Sequence, residues 1–272
     1  MTRGSGSSES TAAVEAKTKV KPGPPPELPR GGRRLFPRHR IVAFYGAPQS
    51  VELGALGIGT PDAAGKRLLA QMRQYRRGGR TLLPAMELIA VVASHSPEPD
   101  GSYSYRQSFA TVKKFLAAAR KVDALLILDI QPGHADFLPL VKRFGRFLRE
   151  PDVALALDPE WHTPGAVPGT VIGSMDAATV NQVSRYLQRV VRKYRLPDKM
   201  LLVHQFTDSM IRNKQQLKAL RGVPLVLNVD GFGGQEVKIA KYHDFTNPRV
   251  RHVHAGFKLF YKEDTNTMTP AQ

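Results

Sequence analysis

The sequence predicts an α/β protein with a TIM-type (β/α)8-like barrel. Short apolar runs rich in β-branched residues alternate with amphipathic stretches of helical length along most of the chain. Continuous apolar strands separated by helices are typical of a parallel sheet that is covered on both faces or closed into a barrel. We find about seven such units, close to the eight of a TIM barrel, and we therefore expect a barrel that lacks its last helix-strand unit.

The N-terminal segment differs in composition from the remainder of the chain. Residues 1–38 are rich in Ser, Gly, Pro and basic residues and contain few large apolar side chains. A segment of this kind buries too little apolar surface to offset the entropy of ordering it. We therefore expect a disordered basic linker over residues 1–38 and a single barrel domain over residues 39–272.

The predicted strands are apolar runs that end in turn residues or charged side chains. In chain order they cover residues 41–46, 82–93, 124–129, 153–161, 200–205, 225–230 and 250–261.

The predicted helices lie between these strands, where apolar residues recur at helical spacing. Asp176 is a predicted N-cap. Thr269-Pro270 resembles the start of a further helix, with Thr as the cap and Pro in the first turn. The six predicted helices cover residues 62–77, 105–121, 137–149, 176–194, 209–220 and 235–243.

Polar side chains collect at the carboxyl ends of the predicted strands, the edge at which barrels place their sites. A single acid there is typical of turn capping, and Asp129 and Asp230 each allow that interpretation. Several carboxylates at one edge repel each other unless a substrate or a cation uses them. Glu87 lies inside or just after the second strand, depending on where that strand ends. The candidate site residues are Tyr45, Glu87, Asp129, Asp158, Glu160, Trp161, His204, Gln205, Asp230, Lys258 and Tyr261.

The stretch Asp158-Pro159-Glu160-Trp161 is the most informative of these. Residues two apart on an extended chain point the same way, so both carboxylates are predicted to face the barrel mouth. One acid can keep its neighbour protonated near neutral pH, which is what a general acid for a glycosidic oxygen requires. Trp161 offers a flat face for a sugar ring, although a rim aromatic is an equally good interpretation.

A (β/α) pattern with Asp158-x-Glu160 at the end of its fourth strand resembles the chitinase-type and lysozyme-type glycoside hydrolase barrels. The resemblance implies that Glu160 donates the proton and that Asp158 orients it. The longer acidic run of the chitinase motif is absent, because Ala154 and Ala156 occupy the preceding positions of the same face.

A second resemblance rests on longer strings, among them Val203-His204-Gln205-Phe206 and Gly256-Phe257-Lys258-Leu259-Phe260-Tyr261. These strings are similar to a family of uncharacterised exported proteins and lipoproteins of high-GC Gram-positive bacteria. This resemblance implies an extracellular or envelope-associated location, although no signal segment is visible and a cytoplasmic location stays open.

The predicted function is that of a carbohydrate-active hydrolase acting on a cell-envelope glycan, with no cofactor and no metal. If a second acid takes part, it is Asp230 or Asp129, and the carboxyl separation decides between retention and inversion. The net charge of +17 favours an anionic envelope polymer as a further partner. Arginines at helical spacing indicate solvated helix faces, and we expect no specific nucleic-acid partner and no transmembrane segment.

Two alternatives stay open. A metal-dependent hydrolase would use His204 with acids drawn from Asp129, Asp158, Glu160 and Asp230 as ligands. A non-catalytic module would bind a wall polymer at the same mouth without cutting it.

Overall fold

A curled parallel sheet forms the centre of the fold. The structure is a computed structural model that describes residues 1–2, 23–247 and 250–272, so most of the predicted linker lies outside the described residues. The strands of the described ranges are β1 (His39–Gly46), β2 (Thr81–Ala93), β3 (Ser104–Arg106), β4 (Leu125–Ile130), β5 (Val153–Leu157), β6 (Met175–Asp176), β7 (Leu201–Gln205), β8 (Ile211–Arg212), β9 (Leu225–Val229) and β10 (His254–Phe257).

Seven of these strands form one parallel ladder in the order β1-β2-β4-β5-β7-β9-β10. They correspond to the seven strands predicted from the sequence. The short strand β3 adds to β2 in the antiparallel direction, and β6 pairs with β8 as a separate two-stranded sheet. An eighth parallel strand is not found in the described part of the chain.

The helices are α1 (Pro61–Met72), α2 (Phe109–Arg120), α3 (Phe137–Arg143), α4 (Ala177–Tyr194) and α5 (Gln235–Thr246). Asp176 caps α4 as predicted, with its Oδ1 accepting from Ala178 N. The prediction of a helix over residues 209–220 is wrong. That segment forms two short 3₁₀ turns around β8, because Asn213 adopts a left-handed backbone conformation and donates to Asp176.

Three further boundaries differ from the prediction. The segment expected to begin a helix at residue 105 starts instead as β3, and Ser108 caps the later helix. The helix expected to reach residue 149 ends at Arg143. The strand expected over residues 250–261 is shortened to β10, because His252 has a positive φ in the turn before it. At the C-terminus, Gln272 N donates to Thr269 O in a turn.

The sheet curls so strongly that its two end strands approach each other. In a flat sheet with strands about 4.8 Å apart, six intervals would separate β1 from β10 by roughly 29 Å. Lys258, directly after β10, nevertheless places its Nζ 3.8 Å from the ring centroid of Tyr45 in β1. The concave face of the sheet is therefore an enclosed interior.

Alternation along the strands divides the apolar residues between two cores. Leu126 and Leu128 of β4 pack on the convex face with the helices. Leu125 and Ile127 of the same strand pack on the concave face. Because of this alternation, every second strand residue points into the concave interior, and the residues between them point toward the helices.

The N-terminal segment closes the lower end of this interior. Leu28 and Leu35 are buried in the concave core, beside Leu83 and Leu125. Asp198 fixes the segment, since its carboxylate accepts from Leu35 N and its own backbone N donates to Arg33 O. The boundary predicted at residue 38 therefore falls after residues that belong to the domain.

No helix among the described residues combines the length and the apolar character needed to cross a bilayer.

Leu35→Ala should lower the free energy of unfolding by about 2 to 5 kcal/mol, because it leaves a cavity in the concave core. Val51→Ala is the control, since Val51 is 48% exposed, and its effect should stay within about 0.5 kcal/mol. Urea denaturation of both variants measures the difference. Equal effects would show that the N-terminal segment does not contribute to the core.

Candidate functional site

The concave face changes from apolar to polar toward the carboxyl ends of the strands. In β2, Leu83, Ala85 and Glu87 share this face because alternate residues point the same way. The other strands follow the same pattern and end in polar side chains. We call the resulting group the polar ring; it consists of Tyr45, Glu87, Asp129, Asp158, His204, Asp230 and Lys258.

His204 lies at the centre of the polar ring and is buried. Its Nδ1 is 2.9 Å from Asp230 Oδ2, and its Nε2 is 3.0 Å from Glu87 Oε1. A protonated imidazole carries an N–H on both ring nitrogens and can therefore donate to both acids. Burial and Lys258 lower the pKa of His204, but its bonds to the two acids outweigh them and raise it well above its ordinary value.

Lys258 joins the last strand of the sheet to the first. Its Nζ donates to Asp230 Oδ2 at 2.9 Å while lying over the face of Tyr45. Burial alone would raise the pKa of Asp230, but Lys258 and His204 hold it below its ordinary value. Asp230 therefore stays ionised, and its Oδ1 also accepts from the backbone N of Gly231.

Asp129 is fully buried and incompletely paired. Tyr45 OH donates to its Oδ2 at 3.3 Å, and Gln131 donates to the same hydroxyl oxygen at 2.9 Å. Asp129 Oδ1 has no hydrogen-bond partner and lies 4.0 Å from His204 Nε2. Burial raises the pKa of Asp129 well above its ordinary value, despite the opposing effect of His204.

Asp158 and Glu160 are related differently from the predicted arrangement. Residues Pro159–Trp161 form a 3₁₀ turn after β5, so the chain is not extended through Glu160. Asp158 Oδ1 accepts from the backbone N of Glu160 at 3.2 Å. Gly173 N donates to Glu160 O, and a Cβ at position 173 would lie 2.5 Å from that oxygen. Only glycine lets the following loop pack this closely on the turn.

Glu160 lies between the polar ring and an open cavity. Burial, followed by the nearby charge of Asp230, raises the pKa of Glu160. The cavity has a volume of about 320 Å³, and its walls include Trp161, Val171 and Ile172. Glu160 is thus in contact with solvent and within electrostatic reach of the buried acids.

The pKa of Asp158 is raised to about 7, first by burial and further by the neighbouring charge of Glu160. Of the acids around the interior, Asp129, Asp158 and Glu160 are shifted toward the protonated form, whereas Asp230 is shifted toward the ionised form. Two acids with opposite shifts beside each other are the arrangement that acid-base catalysis uses.

Two of the residues predicted for the site lie elsewhere. Gln205 follows His204 and therefore points to the convex side, where it accepts from Lys214 and donates to Thr207 O. Tyr261 is 61% exposed, beyond the end of β10. Trp161 lies next to Glu160 in the cavity wall rather than in the polar ring.

Asn228 contacts the polar ring and was not among the residues predicted for the site. Its Nδ2 lies 3.4 Å from His204 Nδ1. Its position two residues before Asp230 on the same strand is the signal that could have identified it.

No protein-family model matches the sequence, and no curated protein matches it either. The fold and the site alone define the class: an α/β protein with a buried cluster of acids and bases at the carboxyl ends of a curled parallel sheet.

The raised pKa of Asp158 makes stability depend on pH. In the unfolded chain this carboxyl loses its proton near its ordinary pKa of 3.8, whereas in the folded chain it keeps it to about 7. The folded state binds more protons between these values, so this group lowers the free energy of unfolding as pH rises from about 4 to about 7. The contribution is constant at higher pH.

Asp158→Asn removes this titration and keeps an oxygen that can accept from Glu160 N. We expect the variant to gain stability relative to the wild type as pH rises from about 4 to about 7, and the difference to level off above that. Urea denaturation at several pH values measures it. Asp136→Asn is the control, because Asp136 is exposed. A stability difference for Asp158→Asn that does not change with pH would contradict the expectation.

Proposed function

We propose that this protein is a carbohydrate-active hydrolase that cleaves a cell-envelope glycan, with Glu160 as the proton donor. The observation that carries the proposal is the position of Glu160, between the buried acids and the cavity lined by Trp161. A general acid must hold a proton near neutral pH and must also reach the substrate. The raised pKa of Glu160 supports the first requirement, and its place in the cavity wall supports the second.

Asp158 and Asp230 have separate roles in this proposal. Asp158 is a positioning residue, since its carboxylate fixes the turn that carries Glu160. Asp230 is the second acid, because Lys258 and His204 keep it ionised and its negative charge raises the pKa of Glu160. An ionised carboxylate beside a protonated one is the pairing that glycoside hydrolysis uses.

The chemistry of the cavity suits a sugar. Trp161, Val171 and Ile172 provide apolar surface, and Thr170 and Glu160 provide polar groups. Sugar rings combine an apolar face with polar edges, so a mixed wall of this kind matches them. The net charge of +17 supports an anionic polymer of the envelope as the surrounding material.

We also propose that the curled sheet is a TIM-type barrel that lacks its eighth strand. The contact of Lys258 with Tyr45 supports this interpretation, because it links the first and last strands through side chains. The rings of Phe36, just before β1, and His254 in β10 are also in contact, with centroids 4.2 Å apart.

The test is Glu160→Gln, which keeps the shape of the side chain and removes its acid. The wild type is incubated with peptidoglycan strands, chitooligosaccharides and other envelope polysaccharides, and new reducing ends are identified by mass spectrometry. We expect the variant to lose about 100-fold or more of the rate on the cleaved glycan. Glu263→Gln, at an exposed position, is the matched control and should retain the wild-type rate.

Two results would overturn the proposal. One is an unchanged rate in a folded Glu160→Gln variant, which removes Glu160 from the proton-donor role. The other is binding of a glycan by the wild type without any cleaved product, which identifies a binding module instead.

A further inference from the structure

Three side chains of the polar ring converge from the neighbouring strands β2 and β4 and from β7, two places further along the sheet. Glu87 comes from β2, Asp129 from β4 and His204 from β7, and all three are buried. One ligand atom from each lies within 4.8 Å of the other two. Carboxylate oxygens and an imidazole nitrogen at such separations can surround a single ion.

An unpaired buried oxygen favours a cation at this point. Five carboxyl groups lie around the concave interior, and the basic groups among them are His204 and Lys258. A buried polar atom without a partner is costly, and Asp129 Oδ1 is such an atom. It lies 4.0 Å from the His204 nitrogen that also faces Glu87. Lys258 does not supply the missing partner, because its Nζ is bonded to Asp230.

The orientation of His204 is fixed by residues on the Nδ1 side of its ring. Asp230 accepts from Nδ1, and Lys258 holds Asp230 in turn. Nε2 is therefore the nitrogen presented to Glu87 and Asp129. A carboxylate that bonds the far nitrogen of a histidine is the usual outer-shell partner of a metal-binding imidazole, where it fixes both the tautomer and the ring orientation.

We propose that Glu87, Asp129 and His204 bind a divalent first-row transition metal ion in the interior of the sheet. Binding replaces the proton on Nε2 with the ion, while Nδ1 keeps its proton and its bond to Asp230. One imidazole and two carboxylates suit Zn²⁺ or Mn²⁺, whereas Mg²⁺ and Ca²⁺ prefer ligand sets made only of oxygen. This inference departs from the metal-free prediction and does not depend on whether Glu160 cleaves a glycan.

The experiment measures metal binding directly. The full-length protein is dialysed against a chelator, then titrated with Zn²⁺ and separately with Mn²⁺ by calorimetry, and the bound ion is counted by mass spectrometry of the metal. We expect one ion per chain and a higher melting temperature with the ion bound. Mg²⁺ at the same concentration should produce a much smaller shift.

Asp129→Asn is the main variant, because it removes a charged ligand and keeps the side-chain shape. It should weaken metal binding by about 100-fold or more. Changes to outer-shell residues already cost up to about 100-fold, and loss of a ligand should cost at least as much. Asp158→Asn is the matched control: it makes the same carboxyl-to-amide change in the polar ring but removes none of the three ligand atoms. Its affinity should stay within about tenfold of the wild type.

Circular dichroism establishes that each variant is folded. Should Asp129→Asn fail to fold, Glu87→Gln replaces it, since the amide oxygen can still accept from His204. Absence of saturable Zn²⁺ and Mn²⁺ binding by the wild type up to millimolar concentration would overturn the proposal. Equal loss of metal affinity in Asp129→Asn and Asp158→Asn would also overturn it. That result would show that the ion is not held by the three ligand atoms in particular.

Discussion

The hydrogen-bonded chain from Lys258 through Asp230 and His204 to Glu87 is the interaction on which the rest of the structure depends. Glu87 lies in β2 near one end of the sheet, whereas His204 of β7, Asp230 after β9 and Lys258 after β10 lie toward the other end. They can meet only if the sheet curls. The same curl encloses the interior of the sheet. Removing one partner of an ion pair in this interior would leave a buried charge unpaired, which is strongly destabilising.

Enclosure also determines the chemistry of the acids. Water is largely excluded around Asp129 and Asp158, so their charged forms are disfavoured and their pKa values rise. Asp230 escapes this effect because Lys258 and His204 are bonded to it. The curl of the sheet is therefore the reason that the pKa values of Asp129 and Asp158 are raised while that of Asp230 is lowered. Both the hydrolase proposal and the metal proposal depend on this enclosed interior.

Much of this architecture follows from local features of the sequence. The seven parallel strands were predictable because each is an apolar run, and the meeting of His204 and Asp230 was predictable because parallel strands end at one edge. Glu87 lies in the middle of β2, so strand ends alone did not place it. The position of Gln205 was predictable in principle, since it follows an inward-facing residue and must face outward.

Other features depended on contacts that local sequence does not contain. The helix expected over residues 209–220 is excluded by the pairing of β6 with β8 and by the turn at Asn213. Leu28 and Leu35 lie in a Pro- and Gly-rich segment, and only the open lower end of the sheet gives them a place to pack. The 3₁₀ turn at Glu160 depends on Gly173 from a distant part of the loop.

The most direct test of the central claim, that the carboxyl ends of these strands form a glycan-cleaving site around Glu160, is a crystal structure of Glu160→Gln with a fragment of the glycan that the wild type cleaves. We predict a sugar ring against Trp161, with the glycosidic oxygen within hydrogen-bond distance of the side chain at position 160. A fragment bound away from this cavity, or a cavity that stays free of sugar at saturating concentration, would contradict the claim.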